Sequence, residues 1–236
     1  MRSVSELVTE RLRRRVRTQG PEPLVTYYDL SSGERTELSA TTFANWVDKT
    51  SNLLVDELML EPDDRVELAL AGPHPGHWVT LVWAAACWQV GLAVSHGRAG
   101  ARLIVCGPDW TPYADAAPDV VACSLHPLGL GFGVPPPAPI LDYTLEVRGQ
   151  PDQYAATPRS GLALAWDDPL HRLTQADLLA GLEGPALRRL VSGTDPWTTL
   201  REALLRPLVT GGSAVVVAGD DPDALPRICS QERVDP

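Results

Sequence analysis

The apolar positions of this chain switch between two periods. Val4, Leu7, Val8, Leu12 and Val16 recur at helical spacing, which predicts an amphipathic helix over residues 3–18, with Ser3 and Glu6 spaced as a capping box. Residues 24–30 and 35–38, parted by Ser31-Ser32-Gly33-Glu34, read as a β-hairpin. Phe43, Val47, Leu54 and Leu58 then form one stripe, which predicts a long helix over 40–60 that closes near Pro62. Asp63-Asp64-Arg65 turns the chain into an apolar strand at 66–71. Gly72-Pro73-His74-Pro75-Gly76 breaks it again before 77–90, which is apolar on all sides and predicts a buried helix stopped by Gly91.

Strands are expected at 92–95, 102–106 and 120–125. Residues 127–139 are irregular and end in Pro135-Pro136-Pro137-Ala138-Pro139. Gly129, Gly131 and Gly133 make a G-x-G-x-G there, but a nucleotide loop needs a strand before and a helix after, and prolines follow instead. Residues 150–160 are a second loop-rich stretch. The pattern then resumes with a strand at 161–166, a helix at 174–182 capped by Thr174 with Asp177 three residues on, and a strand at 187–191. A helix at 196–208, a strand at 214–218 and a last helix at 221–233, interrupted by Pro226, complete it. This alternation predicts an α/β fold of mainly parallel sheet flanked by helices. The expected organisation is an N-terminal α/β subdomain at 1–126, a Pro/Gly-rich connection at 127–160 and a second α/β subdomain at 161–236.

At 236 residues, 44% of them hydrophobic, the chain has material for a real core. Its formal net charge of −10 makes it a poor match for a nucleic-acid backbone. Cys87, Cys106, Cys123 and Cys229 lie far apart without metal-ligand spacing, so buried thiols in a reducing compartment are expected, with no metal. Residues 78–88, the most apolar stretch, are too few to span a bilayer. The expectation is therefore a cytoplasmic protein with no membrane and no nucleic-acid partner. Lys49 is the single lysine, which leaves little room for lysine chemistry. Arg11, Arg13, Arg14, Arg15 and Arg17 give the first helix a basic face, which suits a membrane, an RNA or an acidic partner. The favoured reading is that it docks on the acidic remainder of the chain.

The order of motifs carries a resemblance. Leu38-Ser39, the helix to Leu60, Pro62-Asp63-Asp64-Arg65-Val66, His77-Trp78-Val79 and Gly91-Leu92-Ala93-Val94 follow one another as in a known pattern. They resemble the N-terminal region of the AMP-forming acyl-CoA synthetases and ligases, the adenylate-forming superfamily. Ala101-Arg102-Leu103-Ile104-Val105 is similar to that family's Ala-Lys-Leu strand. Leu173-Thr174 with Leu178-Leu179-Ala180 is similar to the helix after its phosphate loop, and Gly211-Gly212-Ser213-Ala214-Val215-Val216 to a later strand. The resemblance implies that family's large α/β domain, with adenine-nucleotide and acyl ligands. It also exposes departures. The segment matching the lysine-bearing, glycine-rich phosphate loop reads Gly161-Leu162-Ala163-Leu164-Ala165-Trp166-Asp167-Asp168-Pro169-Leu170, without lysine or glycine turn and with two carboxylates that repel triphosphate. The aromatic–His stretch beside the acyl pocket is replaced by Thr194-Asp195-Pro196-Trp197. The adenine and ribose motifs and the lid with its catalytic lysine have no counterpart in these residues.

Other chemistry is weighed residue by residue. His74 and His77, three apart, suit a metal pair but read better as turn and cap residues. Ser124 and His126 end a predicted strand, yet share a face without the orientation of a nucleophile and its base. Asp167-Asp168 and Asp220-Asp221 follow predicted strands, where paired carboxylates suit Mg²⁺ but more simply cap turns. Ser192-Gly193-Thr194 precedes the helix begun by Pro196, a geometry that accepts an anion, with Asp195 opposing it. The candidate ligand-binding set is Ser192, Gly193, Thr194, Trp197, Trp166 and Asp167, with no catalytic residue. The expected function is a non-catalytic, AMP-binding-enzyme-like domain acting as a binding or assembly module for a nucleotide or acyl ligand, with a protein partner or a second copy possible. The alternatives are a half-enzyme completed by a partner chain and an interaction protein that uses its basic helix.

Overall fold

A computed structural model of the chain describes residues 6–116, 118–193 and 195–235. α1 (Val8–Gln19) is amphipathic, as its spacing requires, and buries Val8, Leu12 and Arg15. Its first turn is closed by Glu10, whose carboxylate accepts the Leu7 N–H at 2.9 Å; Ser3 lies outside the described residues. β1 (Pro23–Asp29) and β2 (Glu34–Ser39) form the expected antiparallel hairpin. Ser39 then caps α2 (Ala40–Asn52) by accepting the Thr42 N–H at 3.1 Å. That helix continues through a π turn at Leu53–Glu57.

β3 is shorter than the apolar run suggested, Arg65–Glu67, and gives way to a 3₁₀ turn at Ala69–Ala71. α3 (Trp78–Val90) is buried along its whole length, which explains a sequence with no polar face. His77 caps it through Nδ1, which accepts the Val79 N–H at 3.1 Å. Gly91 ends it in the left-handed region at φ +92°, a conformation that favours glycine. α1 and α2 both pack on α3.

β4 (Ala93–Ser95), β5 (Leu103–Cys106) and β6 (Asp119–Ala122) follow. Two elements within 127–160 have no counterpart in the sequence reading: β7 (Leu141–Asp142) and α4 (Tyr143–Arg148), the latter capped by Asp142, which accepts the Thr144 N–H at 2.9 Å. β8 (Leu164–Asp167) pairs with β9 (Arg172–Thr174) in an antiparallel hairpin. The helix expected at 174–182 does not form; successive turns occupy 175–181. Asp177 reaches back to the N–H and hydroxyl of Thr174 at 2.9 and 2.7 Å, so the pair that reads as a helix cap holds a turn at the end of a strand. β10 (Arg188–Ser192) leads to α5 (Pro196–Leu200), which runs through a π turn at Arg201–Leu205 into α6 (Arg206–Thr210). β11 (Ser213–Ala218) and α7 (Ala224–Glu232) complete the described chain.

Among the described residues the strands form two sheets. One has the order β7-β6-β5-β3-β4-β8-β9, parallel except for β9; the other has the order β10-β11-β1-β2, parallel except for β2. The fold is thus α/β with mainly parallel sheet, as the alternation of elements required. Both sheets draw strands from either side of the 127–160 connection, so neither is contiguous in sequence.

Candidate functional site

In open parallel sheets, ligands collect at the carboxyl ends of strands. β3, β4 and β8 lie side by side, with Glu67 opposite Ser95 and Ser95 opposite Asp167, so these three strand ends share one edge. Asp167 is buried there, 4% exposed, and three guanidinium groups converge on it. Arg65 from β3 and Arg172 from β9 each reach its Oδ2 at 2.8 Å, and Arg98, from the loop after β4, approaches Oδ1 at 3.7 Å. Burying a carboxylate demands such partners.

Asp168 closes the hairpin that follows. Its Oδ2 accepts the Trp166 indole N–H at 2.7 Å, and its Oδ1 accepts the N–H groups of Leu170 and His171 at 2.7 and 2.6 Å. The His171 ring lies 3.0 Å from the same carboxylate. Burial alone pushes this carboxyl up, but the bonds from Trp166, His171 and the backbone hold it below the usual carboxylate range. Arg65, Arg98, Asp167, His171 and Arg172 line a cleft of about 370 Å³. Beside it, the Trp166 and Trp197 rings lie 5.5 Å apart, and His171 is 5.9 Å from Trp197.

Of the six residues named from sequence, the fold brings Trp166, Asp167 and Trp197 to one place. Ser192 and Gly193 end and follow β10 on the other sheet; Ser192 lines a separate cleft with Arg189, Thr198 and Glu202. Gly193 packs on Pro75 and Thr199, where an added Cβ meets both at 3.3 Å. Thr194 lies outside the described residues. The helix start expected to accept an anion is answered by its own Asp195, which accepts the Thr198 N–H at 3.1 Å. A carboxylate seated there already complements the helix dipole.

The residues that sequence reasoning did not single out are Arg98, His171 and Arg172, together with Glu67, which accepts the Ser95 hydroxyl at 2.9 Å and the Gly97 N–H at 2.8 Å and so shapes the Arg98 loop. The remaining candidates are structural. His77 spends Nδ1 on α3, and burial pushes its imidazole down to about 3. The Ser124 hydroxyl bonds to the Leu130 carbonyl and accepts the His126 N–H, which makes a turn and not a nucleophile–base pair. Asp221 accepts the Asp223 N–H ahead of α7. Lys49 is tied to Asp152 and to the carbonyls of Arg148 and Gln150. On the basic helix, Arg13 grips Asp48, Arg11 and Arg14 hold Glu6, and Arg15 bonds to Gln19 and to the Gly211 and Pro23 carbonyls. Among the described residues no cluster of three or more His, Cys, Asp or Glu is placed to hold a metal ion, and no helix is long and apolar enough to cross a membrane.

Solved structures similar to this fold include acyl-CoA synthetases and ligases. The Brucella canis acyl-CoA synthetase matches 98% of this chain with a TM-score of 0.79 at 16% identity. The N-terminal domain of FACL13 from Mycobacterium tuberculosis matches 97% with a TM-score of 0.75 at 12% identity. The anthranilate CoA ligase AuaEII, solved with anthranoyl-AMP, matches 99% with a TM-score of 0.71 at 13% identity. The chain spans 47, 61 and 49% of those three chains, and its fold corresponds to part of the FACL13 N-terminal domain. No protein-family model matches the chain. In sequence, the TIGR03089 family protein of Mycobacterium tuberculosis (strain ATCC 25618 / H37Rv) is 35% identical over 223 residues, 90% of this chain and 89% of that protein. With that identity running through nearly the whole of both proteins, this chain belongs to the TIGR03089 family.

Proposed function

We propose that this chain is a non-catalytic binding or assembly module on the scaffold of an adenylate-forming N-terminal domain. One observation carries the reading: the hairpin that stands where a phosphate loop is expected is closed on itself. Backbone N–H groups wrap phosphates only when they are free to donate; here those of Leu170 and His171 are spent on Asp168. The neighbouring carboxylate, Asp167, is buried and occupied by arginines. Lys49, the one lysine, is committed to Asp152. No lysine and no free N–H of Leu170 or His171 is thus left at this hairpin to wrap an ATP phosphate, while the cleft lined by Arg98, His171 and Arg172 remains as a surface for a nucleotide or acyl group.

The test pairs two measurements on the full chain. The first is ATP–pyrophosphate exchange with a panel of carboxylic acids, where no exchange above background is expected. The second is a thermal-shift screen with ATP, AMP, CoA and acyl-adenylate analogues. A ligand held at a hundred times its Kd adds about 2.7 kcal/mol, roughly 5–10 °C for a domain of this size. A shift of that size with an adenine compound supports ligand binding at the strand ends, and a flat screen supports an assembly role. Measurable exchange by the chain alone overturns the proposal.

A further inference from the structure

A groove of about 690 Å³ lies between α1 and residues 153–159 and shares no lining residue with the cleft at Asp167. Its size suits a small organic molecule. Leu7, Tyr154, Ala156 and Pro158 supply apolar walls, and three acids and three arginines supply charge. The acids are all engaged within the protein. Glu6 is held by Arg11 and Arg14 at 2.8 and 2.7 Å, and Glu10 accepts the Leu7 N–H. Asp48, 2% exposed, takes both terminal nitrogens of Arg13 at 2.9 and 2.6 Å and Nε2 of Gln89 at 2.8 Å.

Two cations of the lining are left over. Arg17, on α1, is exposed, and Arg159, on the opposite wall, keeps a buried Nε with no hydrogen-bond partner; neither has an acidic partner among the described residues. Arg159 is nonetheless held in place. Its Cδ and Nε lie over Gly91, where an added Cβ would meet them at 3.0 and 3.2 Å. Two arginines without an acidic partner, lining one groove with apolar residues, complement one class of ligand. Guanidinium groups bind carboxylates and phosphates through paired donors, and apolar walls take a hydrocarbon.

We infer that this groove binds an amphiphilic organic anion, an acyl or alkyl chain ending in a carboxylate or phosphate, with Arg17 and Arg159 on the head group and Leu7, Tyr154 and Pro158 against the chain. The inference does not rest on the reading of the strand-end cleft.

Isothermal titration of the full chain with decanoate, decyl phosphate and decanol, each below its aggregation limit and at low salt, tests it. At least one anion is expected to bind about tenfold or more tighter than decanol, and the tighter of the two identifies the head group. The double variant R17Q/R159Q is expected to lose at least about tenfold toward that anion and to keep its affinity for decanol. Arg17 is exposed, so R17Q carries the test by itself if replacing Arg159 disturbs the packing over Gly91. Equal binding of decanol and the anions, no binding of any of the three, or full anion affinity in folded variants overturns the inference. Repeating the adenine-compound thermal shifts on R17Q/R159Q separates the two readings, because a shift kept by the variant belongs to the strand-end cleft and not to this groove.

Discussion

The Trp166 indole donates to the Asp168 carboxylate at 2.7 Å, two residues further along the chain. Each group solves the other's problem: a fully buried indole N–H needs an acceptor, and a buried carboxylate needs donors. The bond locks β8 to the hairpin tip, with Leu170 exposed at its end.

Asp168→Asn therefore removes an acceptor from the Trp166 N–H or from the two backbone N–H groups, and is expected to cost about 1–3 kcal/mol at neutral pH. The pH dependence follows from the direction of the shift. The folded-state carboxyl lies below its ordinary value, so its contribution is complete above about pH 4 and is lost as pH falls through the lowered value. Urea unfolding of the two proteins should differ by a constant amount from neutral pH to about 5 and converge in acid. A gap that persists unchanged below pH 3 would assign the effect to shape alone.

A second acid-sensitive link ties α7 to the four-stranded sheet. Glu232 accepts Arg35 Nε at 2.9 Å, Arg188 at 2.6 Å and the Tyr28 hydroxyl at 2.5 Å. Burial alone pushes this carboxyl up, but those donors bring it down to about 2. Against an ordinary value near 4.3, the stabilisation is complete above about pH 5 and disappears between about 4.3 and 2. Glu232→Gln is expected to lose about 1.5–3 kcal/mol at pH 7 and to match the parent protein near pH 2. The comparison is made by equilibrium unfolding, and a variant as stable as the parent at pH 7 would dismiss the network as a stabilising element.

The thiols give a cheaper check. Cys87, Cys106 and Cys123 are buried and Cys229 is half-buried. Burial raises all three buried thiols, Cys106 to about 11 and the other two further, and thiolate is the reactive form. A thiol reagent at pH 8 should modify one cysteine quickly in the folded protein and all four in denaturant. Rapid modification of two or more in the native state would mean that α3 or the β5–β6 strand ends open readily.

What could be read from the residues beforehand follows the range of the interactions. α3 and its stop at Gly91, the first hairpin and the strand–helix alternation come from local patterns, and they stand in the structure where those patterns place them. Thr174 and Asp177 misled because a hydroxyl and a carboxylate three residues apart serve a helix cap and a turn equally well. β7 and α4 are two and six residues long, too short to impose a period on a stretch rich in proline and glycine. The arginine convergence at Asp167 was hidden for a different reason. Arg65, Arg98 and Arg172 come from three segments, and only the order β3-β4-β8-β9 brings them to one carboxylate. No spacing along the chain encodes that order. Arg159 over Gly91 is the same kind of contact, and so is Trp197 beside Trp166.

The paired glycines before β11 separate two kinds of constraint that the sequence cannot tell apart. Gly211 ends α6 in the left-handed region at φ +81°, and an added Cβ there meets nothing closer than 3.4 Å. Gly211→Ala should therefore cost only the conformational penalty of a left-handed L-residue, about 1–2 kcal/mol. Gly212 is limited by space. An added Cβ falls 2.1 Å from the Leu187 carbonyl oxygen and 2.8 Å from the Leu187 nitrogen, and neither backbone atom can swing aside. Gly212→Ala must push the start of β11 away from residue 187, straining the bond from Ser213 N–H to the Leu187 carbonyl, 3.1 Å long. Overpacking of this kind costs roughly 1–3 kcal/mol, with about 1 more for the weakened hydrogen bond. Equilibrium unfolding in urea should rank Gly212→Ala as the more damaging change. If Gly211→Ala proves the worse of the two, the left-handed cap of α6 governs this corner, and the close approach of β10 and β11 does not.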